Sequence, residues 1–297
     1  MEKQFKSGFV TLIGRPNVGK STLLNDIVGE KVSIVSDKIQ TTRNRIHGIV
    51  TDEESQVVFV DTPGVHKPKH ELGDRMVHTS LQTLRDVDIV LFLINAEEGF
   101  GRGDEFIINK MKELNIPVIL VINKIDLVHP DELLPLIASY NEKMDFAETV
   151  PISALNGNNV DTLYELIKSY LPEGPQFYHE DDKTDRTLQF QMAEIIREKV
   201  LILTEEEIPH SVHVVIESVE EKNNKTHIHA LIITERPSQK GILIGKGGSM
   251  LKDIGIQARK ELEQLLQNKV NLQLWIKVSK DWRNRRGLLE QYGFELD

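Results

Sequence analysis

The stretch Gly14-Arg-Pro-Asn-Val-Gly-Lys-Ser21 (GRPNVGKS) follows a short apolar run, residues 9–13, and precedes a segment typical of the first turns of a helix. The pattern GxxxxGKS indicates a phosphate-binding loop when it lies between a strand and a helix, as it does here. Its two glycines allow several backbone N–H groups to point at one anion, and the helix N-terminus adds positive potential. We predict a nucleotide site, with Lys20 on the β- and γ-phosphates and the Ser21 hydroxyl on Mg²⁺. The predicted binding residues of this loop are Asn17, Val18, Gly19, Lys20, Ser21 and Thr22.

The composition is typical of a soluble globular protein with room for two domains. Of the 297 residues, 39% are hydrophobic and 28% are charged. The absence of cysteine excludes disulfides, thiolate zinc sites and cysteine nucleophiles. Residues 1–6 run almost directly into the first apolar segment, so we expect no signal peptide. The longest apolar runs, such as residues 89–94, are about a third of a membrane span. These features favour a cytoplasmic protein.

The charge is unevenly distributed along the chain. The net charge is −10, yet the window from Arg236 to Arg286 contains twelve Lys and Arg against four Asp and Glu, a balance of +8. The remainder therefore carries −18. A basic module on an acidic body is the charge pattern expected of a nucleic-acid-binding protein, although a solvated helical face would give the same composition.

The first half alternates between strand-like and helix-like segments, which predicts an α/β fold with a doubly wound, mostly parallel sheet. Ligands of such sheets bind at the carboxyl ends of the strands. The predicted strands are residues 9–13, 46–50, 57–61, 88–94, 117–122 and 149–152, and the predicted helices are roughly 20–28, 74–86, 104–114, 131–143 and 160–170.

Two further motifs follow predicted strands. Asp61-Thr-Pro-Gly64 comes directly after residues 57–60, where an aspartate can hold Mg²⁺ through water and Gly64 can offer its N–H to a γ-phosphate. Asn123-Lys-Ile-Asp126 follows residues 118–122. A carboxylate at Asp126 can accept hydrogen bonds from N1–H and the exocyclic amine of guanine, whereas adenine would leave it unpaired.

The remaining positions of this site complete a base pocket. Lys124 can lie along the base plane, and Asn123 can tie its loop to the phosphate loop. Ser153-Ala154, after the sixth strand, can present a backbone N–H to guanine O6. An N-cap formed by Asp126 is the structural alternative.

In this order and spacing, GRPNVGKS, DTPG, NKID and SAL resemble the guanine-nucleotide boxes of the translation-factor class of small GTPases. The resemblance covers roughly residues 5–172 and implies binding of GTP and GDP, use of Mg²⁺, and slow intrinsic hydrolysis. It places the first switch at residues 38–45, with Thr42 as the residue that closes on the metal and Thr41 as the second choice. Together with Ser21 and Asp61, Thr42 forms the predicted metal site, and the predicted catalytic residues are Lys20, Thr42, Gly64 and Asn17.

One position departs from the Ras-like pattern. The residue after Gly64, a water-positioning glutamine in Ras-like enzymes, is Val65 here. Asn17 matches the asparagine with which related GTPases hold a potassium ion, and this similarity suggests potassium-assisted hydrolysis. His66, Arg43 and Arg45 are weaker candidates for the missing catalytic group.

The second half has a different pattern. A Pro-, Gly- and acid-rich stretch, residues 173–186, predicts a linker between a domain of residues 1–172 and one of residues 187–297. Beyond it we predict a helix over residues 188–203, strands over 210–218 and 226–234 around an Asn223-Asn224 turn, a helix over 249–267 and a final strand over 271–278.

The loop Gly245-Lys-Gly-Gly248 joins a short helix, which includes residues 241–244, to the helix over 249–267 and predicts an RNA site. A glycine loop lets a nucleic-acid backbone approach closely, and helix dipoles with Lys246 favour its phosphates. The element order and the GxxG loop resemble the bacterial type (type II) of KH domain. The predicted RNA-binding residues are Ile242, Ile244, Gly245, Lys246, Gly247, Gly248, Lys252, Arg283, Arg285 and Arg286. In the basic tail, residues 280–286, Trp282 either stacks on a base or packs into the core.

A GTPase of this class joined to one C-terminal KH domain resembles a bacterial family of ribosome-assembly GTPases. The resemblance implies binding of the 3′ end of small-subunit ribosomal RNA and of the small ribosomal subunit. The alternative is a checkpoint GTPase that reports cell-cycle or energy state, with RNA binding secondary and weak peripheral membrane association under that heading. We expect a monomer without a transmembrane segment. A metabolic P-loop kinase would not need Asn123-Lys-Ile-Asp126.

Overall fold

The computed structural model describes residues 4–294, which form two compact units. Within that range the first unit contains residues 4–33, 42–69 and 73–185. The second unit contains residues 186–294 together with two short segments, 34–41 and 70–72. The chain therefore passes from one unit to the other within the predicted first switch, between Thr41 and Thr42.

The first unit is built around a six-stranded sheet, and the predicted mostly parallel arrangement is confirmed. The strand order is β2-β3-β1-β4-β5-β6, and only β2 runs antiparallel to its neighbour. The strands are β1 (Lys6–Gly14), β2 (Ile46–Thr51), β3 (Ser55–Asp61), β4 (Ile89–Asn95), β5 (Val118–Asn123) and β6 (Glu148–Pro151).

Five helices accompany the sheet: α1 (Lys20–Val28), α2 (Glu71–Thr83), α3 (Arg102–Met111), α4 (Pro130–Asn141) and α5 (Val160–Tyr170). Two hydrophobic clusters form because successive side chains of a strand point to opposite faces. On β4, Leu91 and Leu93 join the cluster that contains α1 and α5, whereas Phe92 and Ile94 join the cluster that contains α3. Burial of both faces explains why the strands are continuous apolar runs rather than alternating ones.

Residues 173–185, within the predicted linker, are held against the first unit. The buried Gln56 side chain accepts hydrogen bonds from the N–H groups of Phe177 and Tyr178 (2.7 and 2.9 Å) and donates to the Tyr178 carbonyl (2.9 Å). At the far end of the segment the His47 N–H donates to Asp185 (3.0 Å). This segment therefore extends the first unit, and the main part of the second unit begins at Arg186.

The second unit packs three helices on a three-stranded sheet of order β7-β8-β9. Strands β7 (His213–Lys222) and β8 (Lys225–Thr234) form the predicted hairpin, whose turn residues Asn223 and Asn224 have φ values of 54° and 55°. Positive φ at both positions is the requirement of a type I′ turn. Strand β9 (Val270–Val278) runs parallel to β8. The principal helices are α6 (Leu188–Leu203), α8 (Pro237–Ile244) and α9 (Ser249–Leu266), and the short helices α7 (Ile208–Ser211) and α10 (Arg286–Gln291) complete the unit.

Segment 34–41 is bound to α6 within the second unit. The Val35 N–H donates to the Glu198 carboxylate (3.0 Å), and the Arg197 guanidinium donates to the Thr41 carbonyl. Arg197 is buried and is also paired with Glu194. Half of the predicted first switch is thus held by polar groups of the second unit. None of the helices between residues 4 and 294 is long and apolar enough to cross a bilayer.

Candidate functional site

The phosphate loop lies at the carboxyl end of β1, where α1 begins at Lys20. Gly19 precedes the helix at φ 98°, a conformation that glycine adopts readily. A Cβ at this position would lie 2.1 Å from the amide nitrogen of Asn123. Glycine is therefore required here both by backbone conformation and by the closeness of the Asn123 loop.

Asn123 connects three loops of the nucleotide site. Its amide nitrogen donates to the Val18 carbonyl (2.8 Å), and its amide oxygen accepts from the Ala154 N–H (2.9 Å). The structure therefore shows the predicted tie between Asn123 and the phosphate loop. The Ala154 N–H, which we predicted to face guanine O6, is engaged with Asn123 here, so contact with O6 has to share or replace this bond.

The predicted metal-site residues converge on one buried carboxylate. Oδ2 of Asp61 accepts hydrogen bonds from Ser21 (2.7 Å), Ser33 (2.9 Å) and Thr42 (3.3 Å). The Ser21 and Thr42 hydroxyls lie 3.0 Å apart. Thr41 is directed elsewhere, because its hydroxyl bonds Ser36 (2.7 Å) and the Lys38 carbonyl (2.6 Å). The geometry favours Thr42 over Thr41.

This cluster fits Mg²⁺ in its chemistry. All of its ligating atoms are oxygens, and the other carboxylate oxygen, Oδ1 of Asp61, is buried with no hydrogen-bond partner. Within residues 4–294 no three His, Asp or Glu side chains come together as a metal site. A magnesium ion here would therefore be held by the hydroxyls of Ser21 and Thr42, by Asp61 and by nucleotide phosphates. Ser33 has no motif that could have predicted its place.

Lys20 is buried beside the same carboxylate. Its ammonium group donates to the carbonyls of Arg15 (3.1 Å) and Gly14 (3.4 Å). Burial lowers the pKa of Lys20 to about 8, against the opposing effect of Asp61. Burial likewise raises the pKa of Asp61, and Lys20 and the three hydroxyls oppose that shift. The charges of both groups are poorly solvated until phosphate and metal arrive.

A side-chain network that the sequence analysis missed holds the phosphate loop from outside. The Arg15 guanidinium pairs with the fully buried Asp104 (3.1 Å) and with the half-exposed Glu98 (3.0 Å). Asp104 also accepts from the Gly101 N–H (2.9 Å), and burial, together with the nearby Asp104 carboxylate, raises the pKa of the Tyr140 hydroxyl. Because Lys20 is bound to the Arg15 carbonyl, this network fixes the backbone on which Lys20 depends.

The guanine end of the site is accessible. Lys124 is in the left-handed region at φ 65°, and Asp126 lies in the following 3₁₀ turn, Ile125–Leu127. The Asp126 carboxylate is exposed and has no hydrogen-bond partner among the described residues. The N-cap of the next helix, α4, is His129, so Asp126 does not cap that helix. Its acceptors remain available for a base.

Val65, the residue after Gly64, is not directed at a nucleotide. Its side chain is 3% exposed and belongs to the hydrophobic core, while its N–H donates to the Gly14 carbonyl (3.1 Å). His66 is bonded back to the Gly64 carbonyl (2.9 Å). Val65 therefore cannot orient a water molecule, as its apolar side chain already implied.

The GxxG loop of the second unit has an open backbone. Gly247 and Gly248 have φ values of 62° and 82°, and a Cβ at either would meet no atom within 4 Å. Ile242 and Ile244, on the preceding helix, are 53% and 36% exposed. Exposed apolar side chains beside an open glycine loop are suited to unstacked bases next to a closely approaching phosphate backbone.

A groove runs from this loop between α9 and β9. Its near part is a cavity of about 370 Å³ lined by Gly248, Leu251, Lys252, Gly255, Ile256, Arg259, Leu272 and Leu274. Of the predicted RNA-binding residues, Gly248 and Lys252 line this cavity, which combines apolar walls with exposed cations.

The C-terminal tail corrects one part of the prediction. Trp282 is fully buried and donates to the Ser211 carbonyl (2.8 Å), so it packs into the core rather than stacking on a base. Arg283 is also buried, where it pairs with Glu235 (2.6 Å). Because the charge of Arg283 is paired inside the fold, we no longer count Arg283 among the RNA-binding residues. Arg285 and Arg286 are exposed, the latter paired with Glu290 (3.0 Å).

Comparison with known proteins agrees with this geometry. Residues 9–124 match a family described as 50S ribosome-binding GTPase, and residues 207–283 match the KH domain family. A solved structure of Era in complex with MgGDPNP and nucleotides 1506–1542 of 16S ribosomal RNA is 46% identical, with a TM-score of 0.95, over 98% of this chain and 100% of that one. The chain belongs to the Era family.

A second Era structure, an Aquifex aeolicus variant bound to GDP and AlF₄⁻, gives the same identity, coverage and TM-score. Membership of the Era family makes this chain a GTPase with a C-terminal KH domain. The nucleotide boxes and the GxxG loop described above both lie in the part of the chain that these two comparisons cover.

We expect Asp104→Asn to weaken both the fold and nucleotide binding, because it leaves the Arg15 guanidinium without its buried partner. The free energy of unfolding should fall by about 1–3 kcal/mol, and GDP affinity should fall severalfold, as measured by thermal unfolding and calorimetric titration. Glu98→Gln removes the half-exposed partner of the same arginine and should have little effect. Equal effects of the two substitutions would contradict the role given to Asp104.

Asp126→Asn should exchange base specificity. The amide still accepts from N1–H but repels the exocyclic amine of guanine, whereas it can donate to O2 of xanthine. GTP affinity should fall by about ten- to a hundredfold, and xanthosine triphosphate should become the preferred ligand in competition titrations. Asp145→Asn, at another exposed aspartate, should leave both affinities unchanged. Unaltered GTP preference in the Asp126 variant would show that the base lies elsewhere.

Proposed function

We propose that this chain is a GTP-binding and hydrolysing switch that binds the 3′ end of small-subunit ribosomal RNA and assists assembly of the small ribosomal subunit. The observation that carries the proposal is the presence in one chain of a guanine-nucleotide site and a KH groove. A 46% identical Era, matched over its whole length, has been captured with a GTP analogue and 16S ribosomal RNA. The similarity extends over both units.

We prefer the small subunit to the large one because of which residues each comparison covers. The family description that mentions the 50S ribosome covers residues 9–124, which lie in the GTPase part of the chain. The GxxG loop lies outside that match and inside the KH match at residues 207–283. The RNA partner is therefore inferred from the Era structure, whose RNA is 16S.

In the proposed mechanism this chain's residues bind and position the nucleotide. Lys20 and the phosphate-loop N–H groups hold the phosphates, Asp126 and Lys124 hold the base, and Gly64 offers its N–H to the γ-phosphate. When bound, magnesium would neutralise charge on the phosphates. Thr42 would close on that ion.

Coupling to RNA would pass through the first switch. Thr42 belongs to the first unit, whereas Thr41, to which it is covalently joined, belongs to the second and is bound by Arg197. A nucleotide that holds Thr42 therefore also restrains a peptide that α6 holds. Such a restraint would make the free energy of RNA binding differ between the GTP-bound and GDP-bound states. GTP-dependent RNA binding requires such a difference.

The first experiment is GTP turnover with and without a short single-stranded RNA matching the 3′ end of small-subunit ribosomal RNA. We expect stimulation by this strand and none by a scrambled strand, at low and at physiological salt. Unchanged turnover with tight binding intact would mean that RNA only locates the protein and that hydrolysis is triggered on the ribosome.

Two substitutions at Gly247 test the RNA site. Aspartate and asparagine both tolerate positive φ and differ by one charge, and the position is open. Gly247→Asp should abolish binding of the same RNA through repulsion of its phosphates, whereas Gly247→Asn should retain it within a few-fold. Small-subunit maturation in cells should fail only with aspartate. Normal maturation despite abolished RNA binding would exclude the assembly function.

We also propose that a potassium ion held by Asn17 supplies positive charge during hydrolysis. Asn17 is exposed on the phosphate loop in the left-handed region, at φ 62°, and Val65 is buried. Turnover should be roughly tenfold or more faster in KCl than in NaCl of equal ionic strength. Asn17→Gly keeps the backbone conformation and should abolish the difference while GDP affinity persists. Equal rates in the two salts would exclude a potassium ion.

A monomeric state and weak peripheral membrane association stay predictions. No amphipathic anchor supports the latter in the sequence. Sedimentation of the purified chain with and without anionic vesicles measures both quantities.

A further inference from the structure

The buried Asp61 carboxylate contacts both ends of the segment that α6 binds, residues 34–41. The chain leaves the first unit after Ser33 and re-enters it at Thr42. Both residues donate a hydroxyl hydrogen bond to the same oxygen, Oδ2 of Asp61, at 2.9 Å from Ser33 and 3.3 Å from Thr42. Asp61 therefore meets the chain on either side of the α6-bound segment.

The Asn25 side chain fixes Ser33 to helix α1. Its amide oxygen accepts from the N–H groups of Val32 and Ser33, both at 3.0 Å, and its amide nitrogen donates to the Ser33 carbonyl (2.7 Å). We call these three hydrogen bonds the Asn25 clamp. The clamp satisfies both backbone polar groups of Ser33 and leaves its hydroxyl directed at Asp61. Ser33 is 2% exposed, so water competes little for these bonds.

The other two hydroxyls on Asp61 have a second task, because Ser21 and Thr42 are the candidate magnesium ligands. Switch contacts that depend on a γ-phosphate are released after hydrolysis, so Thr42 would be drawn to the ion in one nucleotide state only. Ser33 lies outside the nucleotide motifs and is held by α1. Its hydrogen bond to Asp61 does not depend on which nucleotide is bound.

The orientation of the Asp61 carboxylate rests on few contacts. Among the described residues, its Oδ1 has no hydrogen-bond partner, and Oδ2 accepts from the three hydroxyls. The next residue shows what a structural hydroxyl does here, since Thr62 donates to the Leu12 carbonyl (2.7 Å). Ser33 instead bonds the carboxylate that fits magnesium. Hydrogen bonds to a metal ligand orient that ligand and strengthen metal binding.

We propose that Ser33 is a positioning residue of the magnesium site, fixed by Asn25, which keeps the Asp61 carboxylate oriented while Thr42 changes partners between nucleotide states. The inference rests on the GTP switch of the proposed function. It adds the residue that would maintain the metal site in the GDP-bound state, when Thr42 is released.

The test measures how magnesium slows the release of fluorescent GDP from the full-length protein into excess unlabelled GDP. Ser33→Ala should raise the magnesium concentration that gives half of this slowing by about tenfold. Release without magnesium should be unchanged, because the Ser33 hydroxyl acts on Asp61 and, through it, on the ion. With a fluorescent, non-hydrolysable GTP analogue the shift should be smaller, since Thr42 then adds its own oxygen to the ion.

Ser55→Ala is the matched control. Ser55 is as buried as Ser33, lies at the opposite end of β3 from Asp61, and donates its hydroxyl to the Asp52 carboxylate (3.0 Å). The substitution removes a comparable serine–aspartate hydrogen bond about 20 Å along the strand from the metal site. The magnesium dependence of GDP release should therefore match that of the wild type. Thermal unfolding of each variant checks that it is folded at the assay temperature.

Asn25→Ala tests the clamp. It removes three hydrogen bonds to residues 32 and 33 and should shift the magnesium dependence in the same direction as Ser33→Ala. The double variant should shift it no further than the larger single effect, because Asn25 acts through Ser33. Additive shifts would show that the two side chains act independently and would overturn the clamp.

Failure of this inference and failure of the GTP switch give different results. If magnesium does not slow GDP release from the wild type, the magnesium-dependent switch itself fails, and this inference fails with it. If the wild type responds but Ser33→Ala is unshifted, or Ser55→Ala shifts equally, the switch stands and Ser33 has no role in the metal site.

Discussion

The amide of Asn123 is the contact on which the nucleotide site depends. It connects the Val18 carbonyl of the phosphate loop with the Ala154 N–H of the loop after β6. These loops are distant in sequence, but the carboxyl ends of β1, β5 and β6 bring them to one edge of the sheet. A bidentate amide with one donor and one acceptor satisfied fixes both loops at once. The absence of a Cβ at Gly19 is what allows the amide to approach.

At the centre of this site two buried charged groups are poorly solvated, and a bound ligand would stabilise their charges. Lys20 and Asp61 are both buried, and desolvation disfavours the charge of each. Hydroxyls of Ser21, Ser33 and Thr42 solvate one oxygen of Asp61, while Oδ1 is left without a partner. A divalent cation and phosphates replace weak dipolar solvation with full charges. The free energy gained from ligand binding would therefore arise largely around Asp61. Thr42, which contacts Asp61, directly follows the segment that α6 binds.

Much of this structure was predictable from sequence, because motifs and periodicity report local constraints. Every strand of the nucleotide domain was placed to within a few residues, and helices α1, α5 and α6 were placed at their observed bounds. The Asn123 tie followed from motif order.

What escaped prediction depends on contacts between distant positions. The sequence around Arg15 and Ser33 does not indicate which carboxylates these residues contact. Likewise, the composition of the linker does not indicate that Gln56 forms hydrogen bonds with the linker. The sequence does not show whether Trp282 and Arg283 face solvent or the core. A basic tail has the same composition whether its arginine pairs with Glu235 or with RNA.

The charge pattern of the chain bears on how RNA specificity arises. The −18 outside the basic window repels a polyanion on balance, and within the window Arg283 is already neutralised by Glu235. Long-range attraction is thereby reduced, and affinity has to come from short-range fit in the groove between α9 and β9. Phosphate contacts alone carry no sequence information. A protein that limits them depends on base contacts beside the GxxG loop, and it avoids the many non-specific RNA sites that a uniformly basic surface would bind.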